Sequence, residues 1–500
     1  MSNKLYWGDI HAHCAVSYGS GTAARALDNA RRHLDFCSIT GHAFWPDMPM
    51  DQLNDDWLVG KHLGGFAKLQ YYWKDLLAEL RRANRSGKFV TFPSYEWHSM
   101  RYGDHNCYFN SDAPDLLDAP DIEALVEALQ RQAGAFMVLP HHVGYARGFR
   151  GANWNHFDER VTPLVEIYSN HGCGESDDAP YEYHHAMGAR VGPSLVRRAL
   201  LDGHRFGFYA GTDTHDGYPG HYGHGRVGVF AARLDRVSIW EALTQRRTIA
   251  STGARIAADV TLDDAEIGRT IPLSPSSTLR IHVEGTAPID KVEIVEAAGR
   301  QCRVRRLPMP PIELRFSSGR HKIKVETGWG LKAAHDWRVR VRVTDGRFLG
   351  ADPCFRYSEY RGDEQRSCDR IVDATARQVE WVCRSRPNPS GMTGGTHFNA
   401  GGTQAVVLDV EATSRTKLDL TCGDTSMTVP MTTLARQSAG THIAGICSPE
   451  IKIHRAVPER EFRFQHHEEY RPLAQRAGFV YLRITQTDGQ VAWVSPIWFR

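Results

Sequence analysis

The stretch Gly8-Asp9-Ile10-His11-Ala12-His13 closes an apolar run near the start of the chain. Successive side chains of an extended strand point to opposite faces, so His11 and His13 share a face and can hold one cation together. Asp213 and His215 repeat this spacing on a later apolar run. The two pairs predict a metal site that is built at strand ends.

Four further motifs of the first half carry the same kinds of side chain. Each follows an apolar, strand-like run, which is where a parallel β/α barrel presents its catalytic residues. Imidazole and carboxylate ligands suit zinc, manganese or iron, and the chain has no Cys-x-x-Cys pair for a closed structural zinc site. One His-x-His is unremarkable among 25 histidines, but the conjunction predicts a metallohydrolase. The four motifs are Ile39-Thr40-Gly41-His42, Ser94-Tyr95-Glu96-Trp97, Gly103-Asp104-His105-Asn106 and Leu139-Pro140-His141-His142.

Helical periodicity alternates with these strands. Residues 22–33, 66–84 and 121–130 each read as a helix that precedes a strand. Repeated helix and strand predict βα units and a mostly parallel sheet, which places residues 1–255 in the α/β class. The polar residues 46–63 are predicted to form an inserted loop where a lid would sit.

After about residue 255 the pattern changes to short alternating strands joined by turns. We expect an all-β, sandwich-like region of one or two domains, covering residues 256–360 and 361–500. A short similarity between residues 339–346 and 480–489 favours two domains. Residues 385–402 are rich in Gly, Pro, Ser and Asn, which is typical of a long loop.

Composition limits the classes of function. A chain of 500 residues is longer than a single hydrophobic core normally supports, so several domains are expected. The net charge is +2, and the sequence contains no long basic or acidic block. We therefore expect a small-molecule substrate and neither a nucleic-acid partner nor a charged membrane surface. No apolar run approaches the roughly 18 residues that span a bilayer, and no export signal is visible. Ten scattered cysteines then favour reduced thiols and a cytoplasmic location, while the oligomeric state stays open.

Together these motifs resemble the polymerase and histidinol phosphatase (PHP) superfamily over about residues 4–255. The resemblance is closest to a branch of unknown function with a C-terminal β region, and there it extends to the whole chain. It implies a distorted seven-stranded, TIM-like β/α barrel with two or three divalent metal ions, whose identity as manganese, zinc or iron stays open. The segments that carry it, besides the series above, are residues 7–13, 165–172, 211–217, 246–253 and 492–498.

The resemblance also implies where each ligand belongs. A first metal is expected between His11, His13, Glu96 and Asp213, and Glu96 is expected to bridge to a second. The second is completed by His105 and His141, and a third position would use His42 and His215. Residues 14–21 offer no His or Asp, and Gly41 stands where the family has an Asp, so two and three metals both remain open.

Several further side chains are candidates from their positions in the sequence. His98, His142 and His171 lie beside the expected ligands and are possible additional ligands or supporting histidines. Arg147 is predicted to clamp an anionic oxygen of the substrate, with Arg150 as an alternative, because both follow the His141 strand. For each arginine the simpler alternative is a solvated loop residue.

These observations predict a metal-dependent phosphoesterase that acts on a small organic phosphate. Glu96 and Asp213 would hold the metals, and His42 or His215 could protonate the leaving oxygen. The prediction of a phosphate substrate rests on the resemblance alone, because the chain has no Gly-rich phosphate-binding loop. Two alternatives remain: a binuclear hydrolase of a carboxyl ester or amide, and a non-catalytic binding protein whose β-domains recognise a carbohydrate or a partner.

Overall fold

The computed structural model describes residues 3–50, 56–183, 188–329, 334–356, 369–386, 402–445 and 448–500. In its first part, five helices separate single strands or short groups of strands. The elements of this part are β1 Lys4–Asp9, α1 Ala23–Ala30, β2 Phe36–Ser38, β3 Gly41–Phe44, α2 Asp56–Ala83, β4 Val90–Phe92, β5 Ser94–Trp97, β6 Asp104–Phe109, α3 Ile122–Gln130, β7 Phe136–His141, β8 Leu164–Ser169, β9 Gly172–Cys173, α4 Val196–Leu201, β10 Gly207–Ala210, β11 Arg226–Ala231, α5 Arg236–Thr244 and β12 Thr248–Ser251.

Side-chain caps begin three of these helices. Thr22 accepts a hydrogen bond from the backbone N–H three residues later at the start of α1, and Asp121 and Asp235 do the same for α3 and α5. Helix α2 begins at Asp56, inside the segment 46–63 that was predicted as a loop. Helix α2 packs closely on the loop after β1, since a Cβ at Gly65 would lie only 2.4 Å from the Tyr18 ring.

Parallel ladders join β1 to β2, β2 to β4, β3 to β5 and β8 to β10. Antiparallel ladders add β11 beside β1, β12 beside β11, and the run β5, β6, β7. Among the described residues these ladders form separate sheets, so the closed seven-stranded barrel remains a prediction. Their side chains nevertheless meet in one apolar core, which includes Ile10, Phe36, Phe92, Tyr108, Leu139, Leu164, Tyr209 and Val227.

The remainder of the described chain is almost entirely β. Its elements are β13 Ala257–Leu262, β14 Ala265–Glu266, β15 Thr270–Ile271, β16 Ser277–Glu284, β17 Ile289–Ala298, β18 Gln301–Arg306, β19 Gly319–Gly328, β20 His335–Cys354, β21 Arg370–Ala374, β22 Gln378–Ser385, β23 Gln404–Cys422, β24 Thr425–Pro430, α6 Met431–Leu434, β25 Ala439–His442, β26 Glu450–Ile453, β27 Val457–Pro458, α7 Glu459–Phe462, β28 Arg463–Tyr470, β29 Gly478–Gln486, β30 Val491–Val494 and β31 Ile497–Phe499.

Strands β19 to β27 form one nine-stranded sheet. In it β20 pairs with both β22 and β23, so strands from either side of residue 360 lie next to each other. Trp337 on β20 and Trp381 on β22 are both buried in the core of this sheet. The sheet therefore does not divide at residue 360, because the partners of β20 come from after that point in the sequence.

The nine-stranded sheet is inserted between strands that belong together. Strand β28 pairs with β16, and β29 pairs with β17, although the whole insertion lies between them in the sequence. The four strands β13, β14, β16 and β28 share an apolar core with the sheet that contains β17 and β29, and the sandwich-like fold of this region stays a prediction. The similar residues 339–346 and 480–489 lie in different sheets, on β20 and β29.

The last strands are anchored in the first part of the chain. Strand β30 pairs with β12, with Val494 opposite Ile249. The fully buried carboxylate of Glu175, just after β9, accepts hydrogen bonds from Tyr481 at 2.8 Å, Arg483 at 2.9 Å and Trp493 at 2.8 Å. The metal-ligand region and the C-terminal strands thus share a sheet and a buried charge network.

Within the described part of the chain, no helix combines the length and the apolar character that crossing a membrane would need.

Candidate metal centre

Seven of the eight predicted metal ligands meet at one place in the structure. They come from the ends of β1, β3, β5 and β7 and from the loop after β10. All are buried except His215, whose side chain is 35% exposed. The strand ends therefore assemble ligand-type side chains from widely separated parts of the sequence, namely His11, His13, His42, Glu96, His141, Asp213 and His215.

Four of these side chains surround a space of the size of a cation. Nε2 of His13 lies 2.9 Å from Oδ1 of Asp213 and 3.5 Å from Oε2 of Glu96. Nε2 of His11 lies 3.4 Å and 4.0 Å from the same two oxygens. A tetrahedral cation with bonds of about 2.0–2.2 Å would separate its ligand atoms by roughly 3.3–3.6 Å. Two of the four separations match this range, whereas Nε2 of His13 and Oδ1 of Asp213 lie closer because they share a hydrogen bond, which a bound divalent ion would replace.

Unpaired buried atoms support the same conclusion. Among the described residues, Nε2 of His11 and Oε2 of Glu96 are buried without a hydrogen bond. Nδ1 of His42 lies 3.0 Å from the Glu96 oxygen, at ion-pair distance. Buried polar atoms of proteins nearly always have a partner, and a cation would supply it here. The residues present therefore fit a bound metal.

Glu96 has the position of a bridging carboxylate. Its Oε2 faces His11 and His13, whereas its Oε1 lies 2.8 Å from Nε2 of His141 and 3.4 Å from Nδ1 of His98. Burial opposes ionisation of this carboxyl, yet His42, His98 and His141 hold its pKa well below its ordinary value. An ionised carboxylate between two groups of imidazoles can bind two cations at once.

Asp213 is the second shared carboxylate. Its Oδ2 lies 2.8 Å from Nε2 of His142 and 2.7 Å from Nε2 of His171, which places both of these candidate histidines in the cluster. Burial opposes ionisation of Asp213, but His11 and His171 hold its pKa well below its ordinary value. Asp213, His142 and Arg150 also have positive φ angles of 51°, 52° and 66°, a strained conformation that tends to cluster at functional sites.

A surrounding layer holds the histidine rings in place. Nδ1 of His11 lies 2.7 Å from Oε2 of Glu166, and Nδ1 of His142 lies 3.0 Å from Oδ2 of Asp104. Burial disfavours the charged form of His11, but the carboxylates of Glu166 and Asp213 raise its pKa to about 10. Partners of this kind fix the orientation and the tautomer of a metal-binding histidine.

His171 is held in the same way by Tyr145, whose hydroxyl lies 2.7 Å from Nδ1 of the ring. Its Nε2 is thereby directed towards Asp213. His142 and His171 both contact Oδ2 of Asp213 through Nε2, and the Nδ1 atoms of the two rings are hydrogen-bonded to Asp104 and Tyr145 respectively.

The remaining histidines form a directed chain of hydrogen bonds. The Arg150 guanidinium lies 2.8 Å from Nδ1 of His98, and because it can only donate, that nitrogen accepts. Nε2 of His98 then donates to Nδ1 of His42 at 3.0 Å, and Nε2 of His42 donates to Nε2 of His215 at 2.9 Å. Burial lowers the pKa of His42 well below its ordinary value, and burial with the nearby His13 lowers that of His215 to about 3.

The structure does not bring His105 and Arg147 to the cluster. Residues of β6 alternate between two faces, and Asp104 takes the inner one, so His105 points away and donates from Nδ1 to the Gly103 carbonyl at 3.0 Å. Arg147 is exposed in the loop after β7. Arg150 occupies the buried position instead, with its Nε 2.8 Å from Oδ2 of Asp104.

Sequence reasoning missed three residues of the surrounding layer, namely Asp104, Tyr145 and Glu166. Glu166 had a readable signal, because it is the one charged residue in the apolar strand Leu164–Ser169 and is itself buried. Asp104 stood inside a quoted motif, but the sequence does not say which of two neighbours on a strand faces inward. For Tyr145 no signal separates a supporting hydroxyl from a core aromatic ring.

Comparisons with known proteins give limited information. No family model matches the chain. Proteins from Chlamydia trachomatis and Chlamydia muridarum, both described as uncharacterized, are 30% and 28% identical over 162 residues, which is 29% of this chain. The chain thus spans about a quarter of the length of these relatives, 26% in each case.

One solved structure, from Bacteroides vulgatus, is described as a two-domain protein containing a predicted PHP-like metal-dependent phosphoesterase. It is 15% identical, and the match covers 61% of this chain and 86% of that chain. Its TM-score of 0.32 is too low to carry an argument. The function of this chain must therefore be argued from the geometry of its own cluster.

Proposed function

We propose that this chain is a metal-dependent hydrolase that acts on a small organic phosphate ester. The observation that carries the proposal is the group His11, His13, Glu96 and Asp213. Its facing atoms lie 2.9–4.0 Å apart, and two of them, Nε2 of His11 and Oε2 of Glu96, are buried without a hydrogen bond. Divalent cations at such a site acidify a water molecule and neutralise the charge that develops on a phosphoryl oxygen.

Each side chain has a role in holding the ions. His11, His13 and Asp213 would hold the first ion, His141 would hold the second, and Glu96 lies between these two groups. Mixed imidazole and carboxylate donors suit manganese, zinc or iron. Nε2 of His42 and Nε2 of His215 lie 2.9 Å apart, and with His13 these two histidines form a further group that could hold a cation. The number of ions bound per chain therefore distinguishes a two-ion site from a three-ion site.

The opening of the site favours an anionic substrate. His215 is the most exposed histidine of the cluster, and the Tyr18 ring stacks on the neighbouring His42 with centroids 3.7 Å apart. The Lys61 ammonium lies 4.9 Å from the centre of the Tyr18 ring. A positive charge beside the opening attracts a phosphate ester more than a neutral carboxyl ester, which supports the phosphate over the alternative substrate.

The test is hydrolysis of chromogenic phosphate monoester, diester and triester substrates, and of a carboxyl ester, by protein loaded with manganese, zinc or iron. We expect turnover of one phosphate class. Asp213→Asn should abolish this turnover and lower the metal content, whereas Asp202→Asn, at the end of α4, should change neither. Hydrolysis of the carboxyl ester alone would contradict the phosphate assignment, and a folded protein that binds no metal would contradict the whole proposal.

A further inference from the structure

A second cavity lies behind the metal centre, on the opposite face of β6 and β7. It has a volume of about 290 Å³ and opens between α3 and residues 152–162. His105 and Pro140 are opposite each other in the β6–β7 ladder and line this cavity, whereas the adjacent pair, Asp104 and His141, faces the metal centre. The volume is close to the lower end of small-molecule pockets, roughly 300–1,000 Å³.

The residues that line the cavity include apolar side chains and the ring of His105. Val126 from α3 and Val138 and Pro140 from β7 supply the apolar surface. Nδ1 of His105 donates to the Gly103 carbonyl, so Nε2 of the neutral ring carries a lone pair. Burial lowers the pKa of His105 to about 4, which keeps the ring neutral near pH 7. A ligand that fits these side chains has an apolar body and a hydrogen-bond donor.

Aromatic rings form one wall. The Tyr102 and His156 rings meet edge to face, with centroids 4.8 Å apart and planes at 87°. Both rings line the cavity. Aromatic faces attract organic cations through the negative charge of their π systems.

The rim carries more negative than positive charge. Glu123 and Glu127 lie one turn apart on α3, and Asp158 lies on the facing segment. The cations at the rim are Arg160, whose Nη2 lies 2.7 Å from Asp158, and His156, whose Nδ1 lies 2.5 Å from Glu123. Three carboxylates therefore face one guanidinium and one imidazole.

We propose that this cavity is a second binding site, which takes a small organic cation with an apolar or aromatic body. The body packs on Val126, Val138 and the Tyr102 ring, and the ammonium lies between the rim carboxylates and Nε2 of His105. The proposal concerns a ligand separate from the substrate of the metal centre, and it does not depend on the reaction proposed above.

Two matched probes test the charge preference. Isothermal titration of the full-length protein with 2-phenylethylammonium should show binding, and 3-phenylpropionate, which has a similar body and the opposite charge, should bind at least tenfold more weakly. Glu127→Gln should weaken binding of the cation by roughly two- to fivefold, as expected for a partly solvated ion pair. Glu241→Gln, an exposed glutamate on α5, serves as the control and should leave binding unchanged.

A second pair of variants tests the location. Val126→Phe fills the cavity and should abolish binding of 2-phenylethylammonium, whereas Val237→Phe, at a 66% exposed position on α5, should not. Circular dichroism confirms that each variant is folded, and Glu127→Gln keeps the test valid if Val126→Phe fails to fold. Equal binding of the two probes, no binding of either, or full binding by folded Val126→Phe would each overturn the proposal.

Discussion

Replacing Glu166 tests the metal centre without touching an atom assigned to a cation. Oε2 of Glu166 lies 2.7 Å from Nδ1 of His11, and both side chains are buried. In the proposed site Nε2 of His11 binds the first ion while Nδ1 donates to Glu166. Glu166→Ala removes this acceptor, and Glu166→Gln keeps an acceptor oxygen but removes its charge.

Two independent magnitudes agree on the expected size of the effect. A hydrogen bond to a charged group contributes about 1.5–3 kcal/mol. Loss of the partner behind a metal-binding histidine typically weakens metal affinity by roughly 10–100-fold, which corresponds to about 1.4–2.8 kcal/mol. We therefore expect Glu166→Ala to weaken binding of the first ion by roughly 10–100-fold. Glu166→Gln should weaken it by roughly fivefold, since a neutral acceptor retains part of the interaction.

The assay is competition with a chromophoric chelator, using zinc and manganese in turn. Glu159→Gln is the matched control, because this 35% exposed carboxylate pairs with Arg205 and Arg246 and touches no histidine of the cluster. Its affinity should equal that of the unchanged protein. If folded Glu166→Ala binds both metals as tightly as the control, His11 is not a ligand and the reasoning on the four-atom group is refuted.

Three further predictions follow from other contacts. Glu175→Ala should lower the free energy of unfolding by about 3–5 kcal/mol, because it leaves buried hydrogen-bond donors unpaired. The control is Asp178→Asn, at a 69% exposed carboxylate, which should lower it by less than about 1 kcal/mol. Urea unfolding measures both changes. Burial opposes ionisation of Glu284, but its arginine and lysine partners lower its pKa from 4.5 to about 2. The ionised carboxylate therefore stabilises the folded state fully above pH 4.5, and this stabilisation is lost as the pH falls towards 2. Thermal unfolding between these pH values should accordingly be less pH-dependent in Glu284→Gln. His141→Gln should reduce the metal bound per chain and His105→Gln should not, as measured by elemental analysis.

The candidate site was largely predictable because its chemistry is local in the sequence. His11 and His13 follow β1, which ends at Asp9, and their spacing of two residues indicated that both rings would lie on one side of the chain. The same alternation does not predict whether His105 or its neighbour Asp104 faces the cluster, because either of two adjacent residues on a strand can point inward. In the structure Asp104 faces the cluster. Only the packing of β6 between β5 and β7 determines this choice.

The order of strands in the β region was not predictable from local patterns. Alternation identifies a strand and its buried face, and it correctly indicated β16, β17 and β20. It carries no information on which strand lies beside which, since pairing depends on contacts between distant residues. The boundary at residue 360 and the short similarity between β20 and β29 were both read from local sequence, and neither matches the way the sheets are divided.

The pairing of β12 with β30 has a consequence for how the chain is made. During synthesis β12 emerges long before β30, and until then its outer edge offers unpaired backbone groups to any other strand. The inserted nine-stranded sheet must be translated during that interval. A chain that ends within the insertion would therefore keep this strand edge unpaired, on the same sheet as β1, and could pair there with another chain.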